Sequence, residues 1–371
     1  MNILFIAMNN MGDFTGGDRI WIELAKRWKP KAMLQSIQAY NICFDIKQNS
    51  IKPTLWNLML NTIIRTIQGF NFIRKVGDFE YIYSVSDFYP DLLPALWYKV
   101  RHPKTKWIAG YYLISAPFWA SNSPYKGKLW FRGLLYWLMQ RVSLKLVNKH
   151  ADVVFVTSEP DKAYFPRKRV VVVRGGVDMR EVEGYQREMG ILPFKERFYD
   201  CVFVGRFHYQ KGVLELIKIW EQIVQYKPKA QLTMIGNGVL EGKVKELVKK
   251  LGLENNITLM GYLNGRCKYD VFRESKIIVH PATFDSGGMA CAEGMAFGLP
   301  AVGFNLPAYE TYYPKGMMKA PNKAKFVGCI FALLADKEVY NHYSQDALDL
   351  INEHWDWDKQ AERIWKEVLL D

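Results

Sequence analysis

The sequence predicts an α/β protein with two doubly wound domains in tandem, each a parallel sheet with helices on its faces. Its strand-length apolar runs are continuous rather than alternating, as befits strands buried on both faces. Stretches with helical spacing separate those runs, and the pattern restarts at residue 199. A chain of 371 residues that is 49% hydrophobic is long enough for two cores.

Taken in order, NILFIAM (2–8) reads as the first strand and RIWIELAKRW (19–28) as a helix. YIYSVS (81–86), KWIAGYY (106–112), ADVVFVTS (151–158) and RVVVVRGGVD (169–178) supply further strands. The polar stretch REVEGYQREMGILPFKER (180–197) reads as the connection between domains, which sets the first at 1–190 and the second at 191–352. YDCVFVGR (199–206), a helix at 212–226, AQLTMIG (230–236), a helix at 239–251, NITLMGY (256–262) and a helix at 265–274 rebuild the alternation. KIIVHP (276–281) and PAVGF (300–304) are short strands around MACAEGMAF, whose small unbranched residues suit a helix packed closely on a sheet. Residues 353–371, with DKQAERIWKEVLL, form a terminal helix. Ligands of such sheets bind at the carboxyl ends of the strands.

The five cysteines are scattered and never form a CxxC pair, which argues for a reducing compartment without a disulfide framework or structural zinc. MNILFIAMNN lacks a basic leader and a cleavage site, so it reads as a strand rather than a signal peptide. No apolar stretch reaches the ~18 residues of a spanning helix. The net charge of +13 is uneven: residues 1–192 hold 27 Lys and Arg against 15 Asp and Glu, and the remainder holds 23 against 22. Residues 46–77 and 92–151 contain no acidic residue. In the second of these, Lys99, Arg101, Lys126, Lys128, Arg141 and Lys145 are interleaved with Trp97, Trp107, Trp119, Trp130 and Trp137. Such a mixture suits anionic headgroups, and GKLWFRGLLYWLMQRVSLKL (127–146) reads as an amphipathic helix with an aromatic side. The expected location is cytoplasmic and peripheral to the membrane, with nucleic acid as a disfavoured partner.

The strand-end loops carry the chemistry. Gly16 and Gly17 stand just before a helix, where backbone can approach a phosphate. In GRFHYQKG (205–212), Arg206 and Lys211 suit a diphosphate clamp, one as a planar fork and one as a point charge. GNG (236–238) and GYL (261–263) follow. In FDSGGMACAEGMAFGLP (284–300), Asp285 precedes the Gly287–Gly288 turn and Glu293 lies about one turn into the helix. Carboxylates beside a phosphate site must meet hydroxyls, so a nucleotide sugar, with its ribose, diphosphate and hexose, fits. The alternative is that Asp285 caps the helix and Glu293 is a solvated helix residue.

The series GGDRIWIELAKRW, GGVD, VGRFHYQKG, IGNG, MGYL and FDSGGMACAEGMAFGLPAV resembles the group 1, or family 4, glycosyltransferases of the GT-B fold, most closely from Val202 to Gly303. That family pairs two Rossmann-like domains across a cleft, and its terminal helix crosses back to the first domain. The resemblance implies that Glu293 holds the ribose hydroxyls and Asp285 those of the transferred sugar. It further implies that the amides around Gly287, Gly288 and Met289 meet the diphosphate and sugar, that Arg206 and Lys211 bind phosphate, and that Gly236, Tyr262 and Leu263 lie on the donor side. Retention of anomeric configuration and independence from a bound metal or cofactor are also implied, with the nucleotide sugar as co-substrate. Asp285 replaces the usual glutamate, and the loop after KWIAGYY lacks the family's frequent histidine. Asp87 stands as an acceptor-side candidate, or as a turn residue ahead of Pro90.

The expected activity is retaining transfer of a hexose to a lipid-linked sugar or growing glycan. An inverting transferase with Asp87 as base, and a non-catalytic protein that holds a nucleotide sugar or anionic glycan, are the alternatives. Asp356, Trp357 and Asp358 spell a D-x-D string, but with no strand before it they read as the start of the terminal helix. The six histidines suggest no metal cluster; His280 reads as a core residue or as one facing the ligand.

Overall fold

The computed structural model describes residues 1–8, 16–29, 33–38, 55–115, 117–120, 127, 130–285 and 287–369; Lys126, Lys128, residues 9–15 and Ser286 lie outside them. The chain divides into two compact units, Met1–Gly175 with Ala361–Asp371, and Gly176–Gln360.

The first unit is built on six strands, β1 (Asn2–Ala7), β2 (Met33–Gln38), β3 (Tyr81–Ser84), β4 (Lys106–Gly110), β5 (Val153–Val156) and β6 (Arg169–Val172). They lie in the order β2-β1-β3-β4-β5-β6, all parallel. Buried runs such as Ile3–Ala7 and Val153–Val156 explain the unbroken apolar pattern. Its helices are α1 (Gly16–Trp28), α2 (Leu55–Ile73), α3 (Tyr89–Arg101) and α4 (Trp130–His150). The sequence reading overlooked β2, α2 and α3. It also put Gly16 and Gly17 before a helix, whereas they form the first turn of α1, where the amides still lack intrahelical acceptors.

The second unit begins with α5 (Met179–Met189), in the stretch expected to be a connection. Asp178 accepts the Glu181 amide at 3.3 Å as N-cap, and Met179, Val182 and Tyr185 are buried in this unit's core. That burial moves the boundary from the expected 190/191 to Gly175/Gly176. Strands β7 (Tyr199–Val204), β8 (Leu232–Ile235), β9 (Ile257–Gly261), β10 (Ser275–His280), β11 (Ala301–Phe304) and β12 (Met317–Ala320) form a parallel sheet in the order β12-β11-β10-β7-β8-β9. The connecting helices include α6 (Val213–Tyr226), α7 (Glu241–Lys250), α8 (Gly265–Arg273), α9 (Met289–Met295), α10 (Pro307–Tyr312), α11 (Lys323–Ala335) and α12 (Lys337–His354). The last helix, α13 (Trp357–Leu369), starts in the second unit and belongs to the first from Ala361 onward. The D-x-D string opens it: Asp356 Oδ1 accepts the Asp358 amide at 2.8 Å and Asp358 pairs with Arg180. Within the first unit, Trp28 Nε1 donates to Ala361 O at 3.1 Å and Trp28 meets Trp365 edge-on.

Candidate active site

In the second sheet the chain leaves β7 towards β8 and β9, then returns to β10 on the other side. The loops after β7 and β10 therefore flank a topological switch point, where doubly wound sheets bind ligands. Glycines lock these loops together. Gly212 has φ +66°, and a Cβ there would lie 1.9 Å from the Pro281 carbonyl oxygen. The Thr283 amide donates to Gln210 O at 3.0 Å. Gly236, at φ +139°, leaves room for Gly205 O at what would be 1.9 Å from a Cβ, and its amide donates to Gly261 O at 2.7 Å. Only glycine accommodates such an approach of backbone to backbone.

Lys211 sits in a single 3-10 turn, Tyr209–Lys211, and its Nζ reaches Asp285 Oδ2 at 2.5 Å. His280 Nε2 meets the same oxygen at 2.9 Å, which places the imidazole proton on Nε2. Asp285 Oδ1 accepts the amides of Gly287 at 3.2 Å and Gly288 at 3.1 Å. Burial alone would raise the pKa of Asp285, but the Lys211 ammonium and the His280 hydrogen bond hold its carboxyl well below the usual range. Burial lowers His280, against the pull of Asp285, so the ring stays neutral. Gly288, at φ +58°, lets the turn enter α9, and Tyr313 Oη donates to the carbonyls of Gly287 and Gly288 at 3.0 and 2.7 Å.

This geometry gives Asp285 a structural role within the loop. A carboxylate offers about four acceptor positions, and two amides, one ammonium and one imidazole occupy them. Asp285 organises the loop and holds Lys211. The Gly287 and Gly288 amides point at the Asp285 carboxylate in this turn.

Glu293 is buried, which removes the reading of a solvated helix residue; Lys268 of α8 donates to its Oε2 at 2.8 Å. Arg206 is exposed beside the β7 loop, and Tyr262 is exposed after β9. Leu263 and Met289 pack on the core of this unit. The structure thus joins Lys211, Asp285, Gly287 and Gly288 by direct bonds, holds Gly236 against the β7 loop, and sets Glu293 in a separate pair. Sequence reasoning missed Lys268 and Tyr313, because nothing local marks a residue whose partner is 25 positions away. His280 had a signal, its place at a strand end beside the motif.

Gly16, Gly17 and Asp87 belong to the first unit. Asp87 follows β3 at that sheet's switch point, between β1 and β3. Gln140 of α4 donates to Asp87 Oδ2 at 2.8 Å and to Leu113 O at 2.7 Å, while its Oε1 accepts the Ser115 amide at 2.8 Å. Asp87 is 5% exposed, and burial pushes its carboxyl up to about 6 despite the Gln140 bond. Between about pH 4 and 6 the folded chain keeps a proton that the unfolded chain has released, so stability falls as pH rises through that window. The loss amounts to ~3 kcal/mol, at ~1.4 kcal/mol for each of about two pKa units. Asp87→Asn keeps the acceptor and removes the charge. Its melting temperature is expected to equal wild type below pH 4 and to exceed it above pH 6; equal melting curves at pH 7.5 would refute the assignment.

Among the described residues, no three His, Cys, Asp or Glu side chains gather in a metal-binding group. Arg206 and Lys211 are cationic groups on the segment after β7, beside the switch point.

Residues 185–348 match the family described as glycosyl transferases group 1. An uncharacterized glycosyltransferase of Methanocaldococcus jannaschii is 22% identical over 345 residues, covering 87% of this chain and 85% of that protein. Of three further uncharacterized glycosyltransferases, two from the same organism and one from Haemophilus influenzae, the chain spans 36%, 46% and 47%, less than half of each. Among solved structures, sucrose-phosphate synthase of Thermosynechococcus elongatus is similar with a TM-score of 0.72 at 15% identity, over 98% of this chain and 97% of that one. Anabaena HepE, in complex with UDP and glucose, gives a TM-score of 0.68 at 15% identity, over 99% and 98%. At these identities the likeness is one of fold.

Proposed function

With residues 185–348 belonging to the group 1 glycosyl transferases and both sheets those of the GT-B fold, we propose that the protein moves a hexose from a nucleotide diphosphate sugar to a lipid-linked sugar or growing glycan at a membrane surface, with retention of configuration. The observation that carries this reading is the Lys211–Asp285–His280 group at the switch point of the second sheet, with Arg206 beside it.

As the bond between the anomeric carbon and the diphosphate oxygen breaks, negative charge grows on the diphosphate and positive charge on the sugar. Arg206 and Lys211 stabilise the leaving group, a preorganised electrostatic contribution. Asp285 aims Lys211 and keeps it from wandering, and His280, held neutral, fixes the carboxylate's orientation. Glu293 takes the ribose hydroxyls, with Lys268 offsetting its charge in a buried place. In retaining transfer the departing diphosphate accepts the acceptor's proton on the same face of the sugar, so no side-chain base is required, and no metal is assigned a part.

A second reading rests on Asp87. A buried carboxyl that titrates near 6 at the switch point of the first sheet has the property of a general base, and it would serve an inverting transferase. The anomeric configuration of the product separates the two.

The deciding assay is release of nucleoside diphosphate from a panel of nucleotide sugars, UDP-glucose among them, with and without vesicles carrying polyprenyl-linked sugar. Turnover of one donor, lost in Glu293→Ala, is the expected result. Binding of donors without turnover under every condition would overturn the transferase reading in favour of a non-catalytic binding protein.

A further inference from the structure

Helix α2 turns an apolar stripe outward. Thr62, Arg65 and Thr66 are half-buried on another side: Arg65 Nη1 donates to Met8 O at 3.3 Å, and Thr62 and Thr66 return their hydroxyls to the carbonyls of Leu58 and Thr62 at 2.9 and 2.7 Å. Gly69 is buried against Pro94 and the Pro90 carbonyl of α3. The opposite face carries Trp56, Met59, Leu60, Ile63, Ile64 and Ile67, all exposed, with Trp56 at 72% and Ile63 and Ile67 each at 54%. These recur at helical spacing and form one stripe three turns long.

Charge says what covers that stripe. Residues 46–77 contain no acidic side chain. Arg74 lies about five turns from Trp56, on the same face, and is exposed, as are Lys75 and, on α3, Arg101. Arg74 and Arg101 both stack on Trp97, at 5.8 and 4.0 Å from its ring centre. A tryptophan at one end of an apolar stripe and arginines at the other match the composition of a helix lying in a headgroup layer. The neighbouring crossover helix continues the pattern: α3 packs on both α2 and α4, and the exposed side of α4 mixes Leu138 and Val142 with Arg141 and Lys145. The expected single aromatic side of α4 is absent, since its buried positions are Gly133, Gln140, Ser143 and Val147 and its apolar residues are spread around the axis. Among the described residues no helix is long and apolar enough to cross a membrane.

We propose that α2 lies in the surface of an anionic lipid bilayer, with Trp56 through Ile67 in the acyl boundary and Arg74, Lys75 and Arg101 on headgroup phosphates. This gives a surface to the membrane part of the function proposed above, and it stands or falls without turnover. The full chain is sedimented with phosphatidylcholine vesicles and with vesicles containing phosphatidylglycerol, at low and high salt, without donor or acceptor. Expected are at least tenfold tighter binding to the anionic vesicles, weakening with salt, and a tenfold or greater loss in Ile63→Ser/Ile67→Ser, whose substitutions fall on exposed positions that leave the fold intact. Arg74→Gln/Arg101→Gln should lose binding to anionic vesicles alone. Three results would overturn the proposal: vesicle binding unchanged in the Ile63/Ile67 variant, binding abolished only by Trp119→Ser/Trp130→Ser, or a wild-type dimer in lipid-free sedimentation velocity that the Ile63/Ile67 variant converts to monomer.

Discussion

Replacing Lys211 with methionine is expected to reduce turnover of the nucleotide sugar on the order of a hundredfold or more, the loss typical of removing one preorganised charge donor from a transition state. The side chain has a second role that the same substitution exposes. Its ammonium and the Asp285 carboxylate are 18% and 8% exposed, so the pair is largely withdrawn from water. Breaking such a pair from one side leaves a buried charge and costs about 3 kcal/mol or more. His280 remains against Asp285 Oδ2, and it loses the repulsion by which Lys211 lowers it further. Its folded-state value should therefore rise towards the unfolded one, although burial still lowers it. A group held below its unfolded value costs stability at low pH, and that cost fades as pH rises through the unfolded value. The variant bears less of this cost, so its stability deficit against wild type is expected to be smaller at acidic pH and to widen as pH rises towards the unfolded value of histidine. Proton NMR of the His280 ring checks this, and an imidazole that titrates as in wild type would refute it.

Gly236→Ala is expected to damage the second unit more than any other single methyl group added to the site. The residue has φ +139°, a conformation that L side chains rarely adopt, and the new Cβ would fall 1.9 Å from Gly205 O. Backbone strain and overpacking together make a cost of roughly 3 kcal/mol or more. The loop after β8 would have to move off the loop after β7, taking Arg206 and Lys211 out of register, so activity should fall with stability. Gly242→Ala in α7 is the control: that glycine has nothing within 4 Å of a new Cβ, and the change should stabilise by about 0.5–1 kcal/mol. Equal melting temperatures for the two variants would dismiss the argument.

Much of the second unit could be read before any coordinates existed, because strands such as Tyr199–Val204 and Ser275–His280 are buried on both faces and so announce themselves as unbroken apolar runs. The first unit hid more. Helix α2 escaped notice because its apolar stripe faces outward and its Arg65 inward, which inverts the signal used to find helices. Helix α5 looked like a linker because only Met179, Val182 and Tyr185 of its residues are buried. At the site, sequence located Asp285 and Lys211 but not their relation: 74 positions separate them, and a carboxylate in a string of letters does not disclose how many of its acceptor positions are filled. The buried Lys268–Glu293 pair was invisible for the same reason.

The glycine-locked loops after β7, β8 and β10 bear on how such a site diversifies. Where main chain touches main chain, at Gly212 against Pro281 and Gly236 against Gly205, almost no substitution is tolerated. Variation is left to positions whose side chains leave that framework, such as Tyr209, Val239 and Tyr262, each more than half exposed. A change of donor preference within this architecture should therefore arise from a handful of rim residues exchanged freely over an invariant backbone, and a library restricted to those three codons would sample it at little risk to folding.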